Sequence, residues 1–170
     1  MPYTTTHVLV GIILIELFTD FFIKDNKKFP RYYILIMAIA SIFPDLEYIF
    51  QMPNLHRNLL HTLFVPLLFL ILGFITMQTK IKNKEIKKRH LKLPIILFIF
   101  AAGSFLHILL DVLLRDGAML FYPFLDAKIG LSLISYFPIS ESIVLIILDA
   151  LLLFFWIFWM EFKLKISDYF

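Results

Sequence analysis

The sequence predicts an all-α, polytopic membrane protein with about five transmembrane helices, on three observations. Apolar residues make up 61% of the chain, well above the roughly 45–50% that is usual in soluble domains. The mean hydropathy is +0.87. Charged residues are gathered between long apolar runs rather than spread along them. The length of 170 residues suits one domain, so we expect residues 1–170 to form a single membrane-embedded helical domain.

Five apolar segments can cross the hydrocarbon core of a bilayer, which takes about 20 residues of helix. In chain order, the predicted spans are Thr6–Ile23, Tyr32–Phe50, Thr62–Met77, Pro94–Leu114 and Ser140–Glu161. The first follows Thr4 and Thr5, which are candidate helix caps. Basic segments precede the second span and follow the third, and so mark their ends. The fifth span begins with Ser140 and Glu141. These residues are typical of a helix N-cap and of an acidic residue in the first helical turn.

The distribution of lysine and arginine predicts the orientation. These residues crowd the loop between spans 1 and 2, the loop after span 3 and the C-terminal tail, whereas the connection 51–61 carries only Arg57. The 115–139 connection carries only Arg115 and Lys128. The positive-inside rule then places the N-terminus outside and the C-terminus in the cytoplasm of a multi-pass protein in the cell (plasma or inner) membrane. Basic loops of this kind set orientation, so we expect no nucleic-acid partner.

This topology brings metal-ligand residue types to the outer end of the bundle. The candidate ligands are His7, Asp45, His56, His61, His107 and Asp111. Because the chain has no cysteine, nitrogen and oxygen must hold any metal. Three or more such ligands fit zinc, although manganese, iron or nickel could also occupy them.

Two short motifs carry the best-placed ligands. His107 and Asp111 are four residues apart, so they share one helix face; alternatively, Asp111 pairs with His107 or with Arg115. Asp45 and Glu47 follow Pro44. Asp45 is the ligand candidate, and Glu47 could be a second ligand, a hydrogen-bond partner for a ligating histidine or a general base. Both carboxylates could instead simply face water at a helix end.

The turn before the third span reads HRNLLHT and contains two histidines and Arg57. The guanidinium fork of Arg57 suits the binding of a phosphate or carboxylate beside a metal. It could also anchor the turn to lipid phosphates. Either histidine alone could be an ordinary interface residue, so the pair is the stronger indication.

Two further features remain to be placed. Glu16 and Asp149 lie near mid-membrane, where acidic groups are expected to be hydrogen-bonded, for example to each other, or to belong to a polar path. Residues 116–138 are mostly apolar and aromatic. The Gly and Pro residues within this segment would break any long helix. We expect that segment to lie at the interface or to fold back over the helix ends.

Taken together, the motifs resemble a known family. An N-terminal histidine, then PDLE at 44–47, HRNLLHT at 56–62, HILLD at 107–111 and GAMLFYP at 117–123 resemble the membrane-bound metal-dependent hydrolases, also described as LexA-binding, inner-membrane-associated hydrolases. Their order is also similar to that in the zinc-dependent phospholipase C and P1 nuclease group. That group's later H…HxxxE ligands have no counterpart, since no histidine follows His107, so we expect one or two metals.

The resemblance implies a membrane-embedded, zinc-type hydrolase that acts at the outer face on a phosphoester of a lipid or lipid-linked amphiphile. Asp45, His107, Asp111 and His56 or His61 would bind the first metal, with His7 on a second metal bridged by Asp111. Arg57 would hold the anionic group of the substrate, assisted by Arg115, and Glu47 would orient a ligand or accept a proton. A metal-ion transporter is one alternative. The other is a non-catalytic scaffold that binds a partner or anionic lipid through the basic 80–92 loop.

Overall fold

The computed structural model describes residues 4–23, 29–48, 59–82, 93–114 and 117–164. Five α-helices account for most of these residues: α1 Thr4–Phe22, α2 Tyr32–Ile42, α3 Phe64–Lys82, α4 Leu93–Leu114 and α5 Glu141–Leu164. Two 3-10 helices, Phe43–Tyr48 and Leu133–Tyr136, complete the secondary structure of the described part, which contains no strand. The all-α prediction is therefore confirmed. α1, α4 and α5 are long and apolar enough to cross a membrane.

The second predicted span does not continue as one α-helix to Phe50. α2 ends at Ile42 and covers 11 residues, which is about half the length needed to cross a bilayer. Pro44 explains the change, because it has no N–H to donate to the Ala40 carbonyl four residues back. The N–H of Phe43 donates to that carbonyl instead, and the chain continues as the 3-10 helix.

α2 packs between α1 and α4 at a layer of small residues. A Cβ atom built on Gly11 of α1 would collide with the Ser41 hydroxyl of α2, and one built on Gly103 of α4 would lie 2.5 Å from the Ala40 Cβ. The helices are therefore closer than larger side chains would allow. Such contacts are typical of helices that associate in lipid, where dispersion and hydrogen bonds replace the hydrophobic effect.

α5 packs against α1, and two polar contacts fix how the two helices are aligned. Asp149 accepts a hydrogen bond of 2.5 Å from the Thr6 hydroxyl, and Lys163 lies 2.7 Å from Asp20. Thr6 and Asp20 are 14 residues apart on α1, and Asp149 and Lys163 are 14 residues apart on α5, so the two helices run parallel and in register. Asp149 is therefore hydrogen-bonded to Thr6 and not to Glu16.

Residues 117–139, here called the cap, fold back over the ends of α3 and α4. The cap donates from Leu131 N–H to the Val112 carbonyl at 2.7 Å, and its Leu120 carbonyl accepts from Leu63 N–H at 3.0 Å. Gly117 has a φ of +83°, and a Cβ atom there would collide with the Ile129 carbonyl. The fold-back expected for this segment is thus present, and it covers the end of the bundle that holds the candidate ligands.

Candidate metal centre

The small-residue layer places two histidines against each other. His7 lies one helical turn before Gly11 in α1, and His107 lies one turn after Gly103 in α4. Because both helices approach α2 closely at these glycines, the imidazole rings stack at a centroid distance of 3.9 Å and an interplanar angle of 20°. Both side chains are buried, with 1% and 0% of their surface exposed.

A backbone carbonyl sets the tautomer of His107. Its Nδ1 lies 2.7 Å from the carbonyl oxygen of Ser41. A carbonyl can only accept, so Nδ1 must carry the hydrogen. In the neutral ring, Nε2 then has the lone pair that a metal requires, and a second-shell contact of this kind is usual for metal-binding histidines.

His61 is oriented in the same way by a carboxylate. Its Nδ1 lies 3.3 Å from Oε2 of Glu47, while its Nε2 faces the Nε2 of His107 at 3.3 Å. The other oxygen of Glu47 accepts from the N–H of Leu59 at 3.1 Å and from the N–H of Leu60. Glu47 therefore holds the turn before α3 and the imidazole of His61 at the same time.

Two carboxylate oxygens complete a four-atom arrangement with these nitrogens. Oδ1 of Asp45 lies 3.5 Å from the Nε2 atoms of both His61 and His107. Oδ2 of Asp111 lies 3.7 and 3.6 Å from the same two nitrogens. A tetrahedral metal with ligands at about 2.0–2.2 Å has ligand–ligand edges of about 3.3–3.6 Å. The distances of these oxygens from the two nitrogens are close to such edges, and Asp45, His61 and His107 meet the spacing of a three-ligand group.

The charge of this cluster also favours a cation. Among the described residues, Oδ1 of Asp45 is buried and accepts no hydrogen bond of normal geometry. Asp45, Glu47 and Asp111 bring three carboxylates to the cluster, with side chains only 8–13% exposed. Burial lowers the pKa of His61, but the adjacent Asp45 and Glu47 outweigh it and raise that pKa to about 9. Buried negative charge of this kind must be balanced by protons or by a metal.

His7 and Asp111 form part of a second candidate metal position. Nε2 of His7 lies 3.7 Å from Oδ1 of Asp111, whereas the Oδ2 atom faces His61 and His107. The two oxygens of one carboxylate thus face different histidines, which is the arrangement that a bridging ligand requires. His7, His107 and Asp111 also meet the spacing of a three-ligand group.

The structure brings together six of the residues singled out in the sequence: His7, Asp45, Glu47, His61, His107 and Asp111. His56, Arg57 and Arg115 lie outside the described residues. Ser41 was missed, because its contribution is a backbone carbonyl that no side-chain pattern reveals. The only sequence signal was its small size within an apolar run, shared with Gly11 and Gly103.

Comparison with known protein families gives a match over nearly the whole chain. The model of the family described as YdjM inner membrane protein matches residues 1–166. This range includes all five helices, the cap and every residue of the cluster. No curated protein and no solved structure matches the chain.

Proposed function

The chain belongs to the YdjM inner membrane protein family, and from that premise we propose that it is a membrane-embedded, metal-dependent hydrolase of phosphoester bonds. The family and the spanning helices α1, α4 and α5 make it a multi-pass inner membrane protein. The reaction is our proposal. It is supported by the likeness of its motifs to the membrane-bound metal-dependent hydrolases and by the geometry of the buried cluster.

One observation carries the proposal: ligand-type atoms of Asp45, His61 and His107 lie 3.3–3.5 Å from one another, and Oδ2 of Asp111 lies 3.6–3.7 Å from both histidines. The set contains only nitrogen and oxygen donors, which suits zinc and related divalent ions. We propose one or two ions, with His7 and Oδ1 of Asp111 at the second position. When bound, such an ion supplies Lewis acidity, which lowers the pKa of water toward about 7 and polarises a substrate oxygen.

The residues of the chain would then have separate roles. Ser41 and Glu47 hold His107 and His61 in the tautomers that present Nε2 to the cluster. Glu47 is well placed to orient His61, and it could also accept a proton. Arg57 and Arg115 are proposed from the sequence alone to hold the anionic group of the substrate, since a guanidinium binds phosphate oxygens in pairs.

The surroundings of the cluster support an amphiphilic substrate. The cap lies over the same end of the bundle, and its Phe124 and Tyr136 side chains are 82% and 81% exposed. Exposed aromatic side chains at the end of a transmembrane bundle are typical of the membrane interface. A lipid or lipid-linked phosphoester would present its head group at this depth. From the lysine distribution, we propose that this is the non-cytoplasmic face.

The test is to measure metal content and hydrolysis on the same purified preparations. We expect stoichiometric zinc or a similar ion, and hydrolysis of bis(p-nitrophenyl) phosphate, in the wild-type protein. Both should be lost in a His107→Ala/Asp111→Asn variant and kept in Asp126→Asn, which changes an exposed carboxylate of the cap. Hydrolysis that persists fully in the double variant would overturn the proposal.

A wild-type protein that binds metal but hydrolyses nothing points to the transport alternative instead. Uptake of zinc into liposomes that contain the protein then decides the matter, with the double variant as its control. A protein that binds no metal, even on titration, leaves the scaffold alternative. In that case charge reversal of the basic 80–92 loop should abolish partner binding.

A further inference from the structure

A buried acid lies between α1 and α5, toward the end of the bundle opposite the metal cluster. Glu16 of α1 is only 3% exposed, and among the described residues its buried Oε2 has no hydrogen-bond partner of normal geometry. The indole of Trp156 in α5 interacts with this carboxyl, yet its buried Nε1 makes no hydrogen bond of normal geometry within the described part of the chain. Buried polar atoms are rarely left in this state, so the two together require an explanation.

We propose that Glu16 is a proton-binding site, which exchanges protons with the end of the bundle where Asp20 and Lys163 lie. An ionised carboxylate inside a membrane helix is costly unless a cation pairs with it. The one lysine of α5, Lys163, is already 2.7 Å from Oδ1 of Asp20, and Oδ2 of Asp20 accepts a hydrogen bond of 3.3 Å from the indole of Trp159. Glu16 therefore carries a proton as long as Lys163 stays with Asp20.

The surroundings of Glu16 suit a proton and not a metal ion. The charged groups that act on its carboxyl are Lys163, Asp20 and Arg31, which directly precedes α2. From α4, the apolar Ile99 packs into this part of the core. Two of the three charges are positive, and both oxygens of Asp20 already have partners. The described residues around Glu16 therefore do not offer the set of oxygen ligands that a hard cation requires, whereas a proton needs only the carboxyl.

The site is accessible from one end of the α1–α5 contact. Asp20 lies one helical turn after Glu16, and the side chains of Asp20 and Lys163 are 23% and 29% exposed, so protons can reach Glu16 through this pair. In the other direction, residues 8–15 of α1 read VLVGIILI and residues 150–155 of α5 read ALLLFF. No side chain in these two stretches can carry a proton across the roughly 15 Å of helix between Glu16 and Thr6. Protons should therefore enter and leave at the same end and not continue to the cluster.

Loss of the proton should change the contact between α1 and α5. An ionised Glu16 attracts Lys163, which must then leave Asp20 or be shared with it. The positive charge of Lys163 favours the ionised form of Glu16, and the negative charge of Asp20 opposes it. Substitutions of the pair should therefore have opposite effects: Lys163→Gln should move the midpoint of the Glu16 titration to higher pH, and Asp20→Asn should move it to lower pH.

Both tryptophans of the chain lie in this region, so fluorescence can test the proposal without any enzymatic activity. In Trp159→Phe, Trp156 is the only tryptophan left. Its emission, measured in lipid nanodiscs from pH 5 to 10, should change with a single midpoint as Glu16 loses its proton. Adding Glu16→Gln, which keeps the shape of the protonated acid, should abolish the change. Adding Asp149→Asn instead, which alters the carboxyl at the other end of the α1–α5 contact, is the matched control and should keep it.

Three results would overturn the proposal. They are a fluorescence change that persists with Glu16→Gln, an emission of Trp159→Phe that does not depend on pH, and midpoint shifts of the same sign in Lys163→Gln and Asp20→Asn. Access from one end is tested with the pH-sensitive dye pyranine inside proteoliposomes, where an external pH step should cause no flux beyond that of protein-free liposomes. A flux that is lost in Glu16→Gln would instead show a path across the membrane and favour the transport alternative. None of these readouts depends on the proposed hydrolysis.

Discussion

The Nε2 atoms of His61 and His107 lie 3.3 Å apart in the buried cluster. Neither ring can turn away without losing a contact, because the Nδ1 of His107 donates to the Ser41 carbonyl and that of His61 faces Glu47. Two lone pairs that face each other in a buried site repel unless a cation lies between them. In the metal-free protein this cation would be a proton shared between the two Nε2 atoms. In the proposed enzyme it would be a metal ion.

The two candidate metal positions can be separated by single substitutions. His7 faces Oδ1 of Asp111, whereas His61 belongs to the four-atom arrangement. We expect His7→Ala to keep one stoichiometric ion and His61→Ala to lose that ion. Elemental mass spectrometry of the purified variants measures this. Complete loss of metal from His7→Ala would show that the two positions are not independent.

Metal affinity should rise with pH. The carboxylates around His61 raise its pKa to about 9 in the metal-free protein, so below that pH a metal must displace a proton from Nε2. One displaced proton weakens binding by about tenfold for each unit of pH below 9. Zinc affinity measured by competition with a chelator from pH 6 to 9 checks this slope. An affinity independent of pH would mean that His61 is neutral before the metal binds.

The role of Glu47, positioning His61 or accepting a proton, can be determined by comparing two substitutions. If it positions His61, Glu47→Ala should lower metal affinity about 10–100-fold, while Glu47→Gln, which still accepts hydrogen bonds, should lower it less. If Glu47 accepts a proton in the reaction, Glu47→Gln should abolish hydrolysis and leave metal affinity nearly unchanged. Chelator competition and the hydrolysis of bis(p-nitrophenyl) phosphate, measured on both variants, distinguish the two roles.

Gly103 should be necessary for the geometry of the cluster. A Cβ atom there would lie 2.5 Å from the Ala40 Cβ and 2.8 Å from the Ala40 carbonyl carbon, so Gly103→Ala must push α2 away from α4. We expect a loss of about 1–3 kcal/mol in stability, typical of overpacking, together with weaker metal binding as Ser41 moves from His107. Thermal unfolding and metal titration measure both effects.

Gly73→Ala is the control for that substitution. A Cβ atom on Gly73 would lie 2.8 Å from the Phe98 ring, which is a side chain that can shift. It should therefore cost less stability and leave metal affinity unchanged. Equal effects on metal binding in the two variants would contradict the role given to the Gly103 contact.

The orientation can be tested because the chain has no cysteine. A cysteine at Asp126 in the cap should react with a membrane-impermeant maleimide in intact spheroplasts, since the positive-inside rule places the cap outside. A cysteine at Lys84, in the basic loop, should react only after permeabilisation. The reverse pattern would place the cluster on the cytoplasmic face and change the side from which a substrate must come.

The sequence by itself determined the helical class, the membrane location and the layer in which the cluster lies. These depend on signals that are local or additive, namely apolar runs long enough to span a bilayer and an excess of lysine in alternate loops. His7, Asp45, His61, His107 and Asp111 could be assigned to one end of the bundle without knowing which helices touch.

Only the tertiary structure decided which atoms meet. The partner of Asp149 is Thr6, and the tautomer of His107 depends on a carbonyl of α2 that is 66 residues away. Both contacts result from helix packing at small residues, and the surface of a helix that faces a neighbour in lipid cannot be recognised from apolarity alone, since the lipid-facing surface is equally apolar. The apolar runs and the lysine distribution therefore assigned the cluster residues to one end of the bundle. The close approach of α1, α2 and α4 determined the geometry of the cluster.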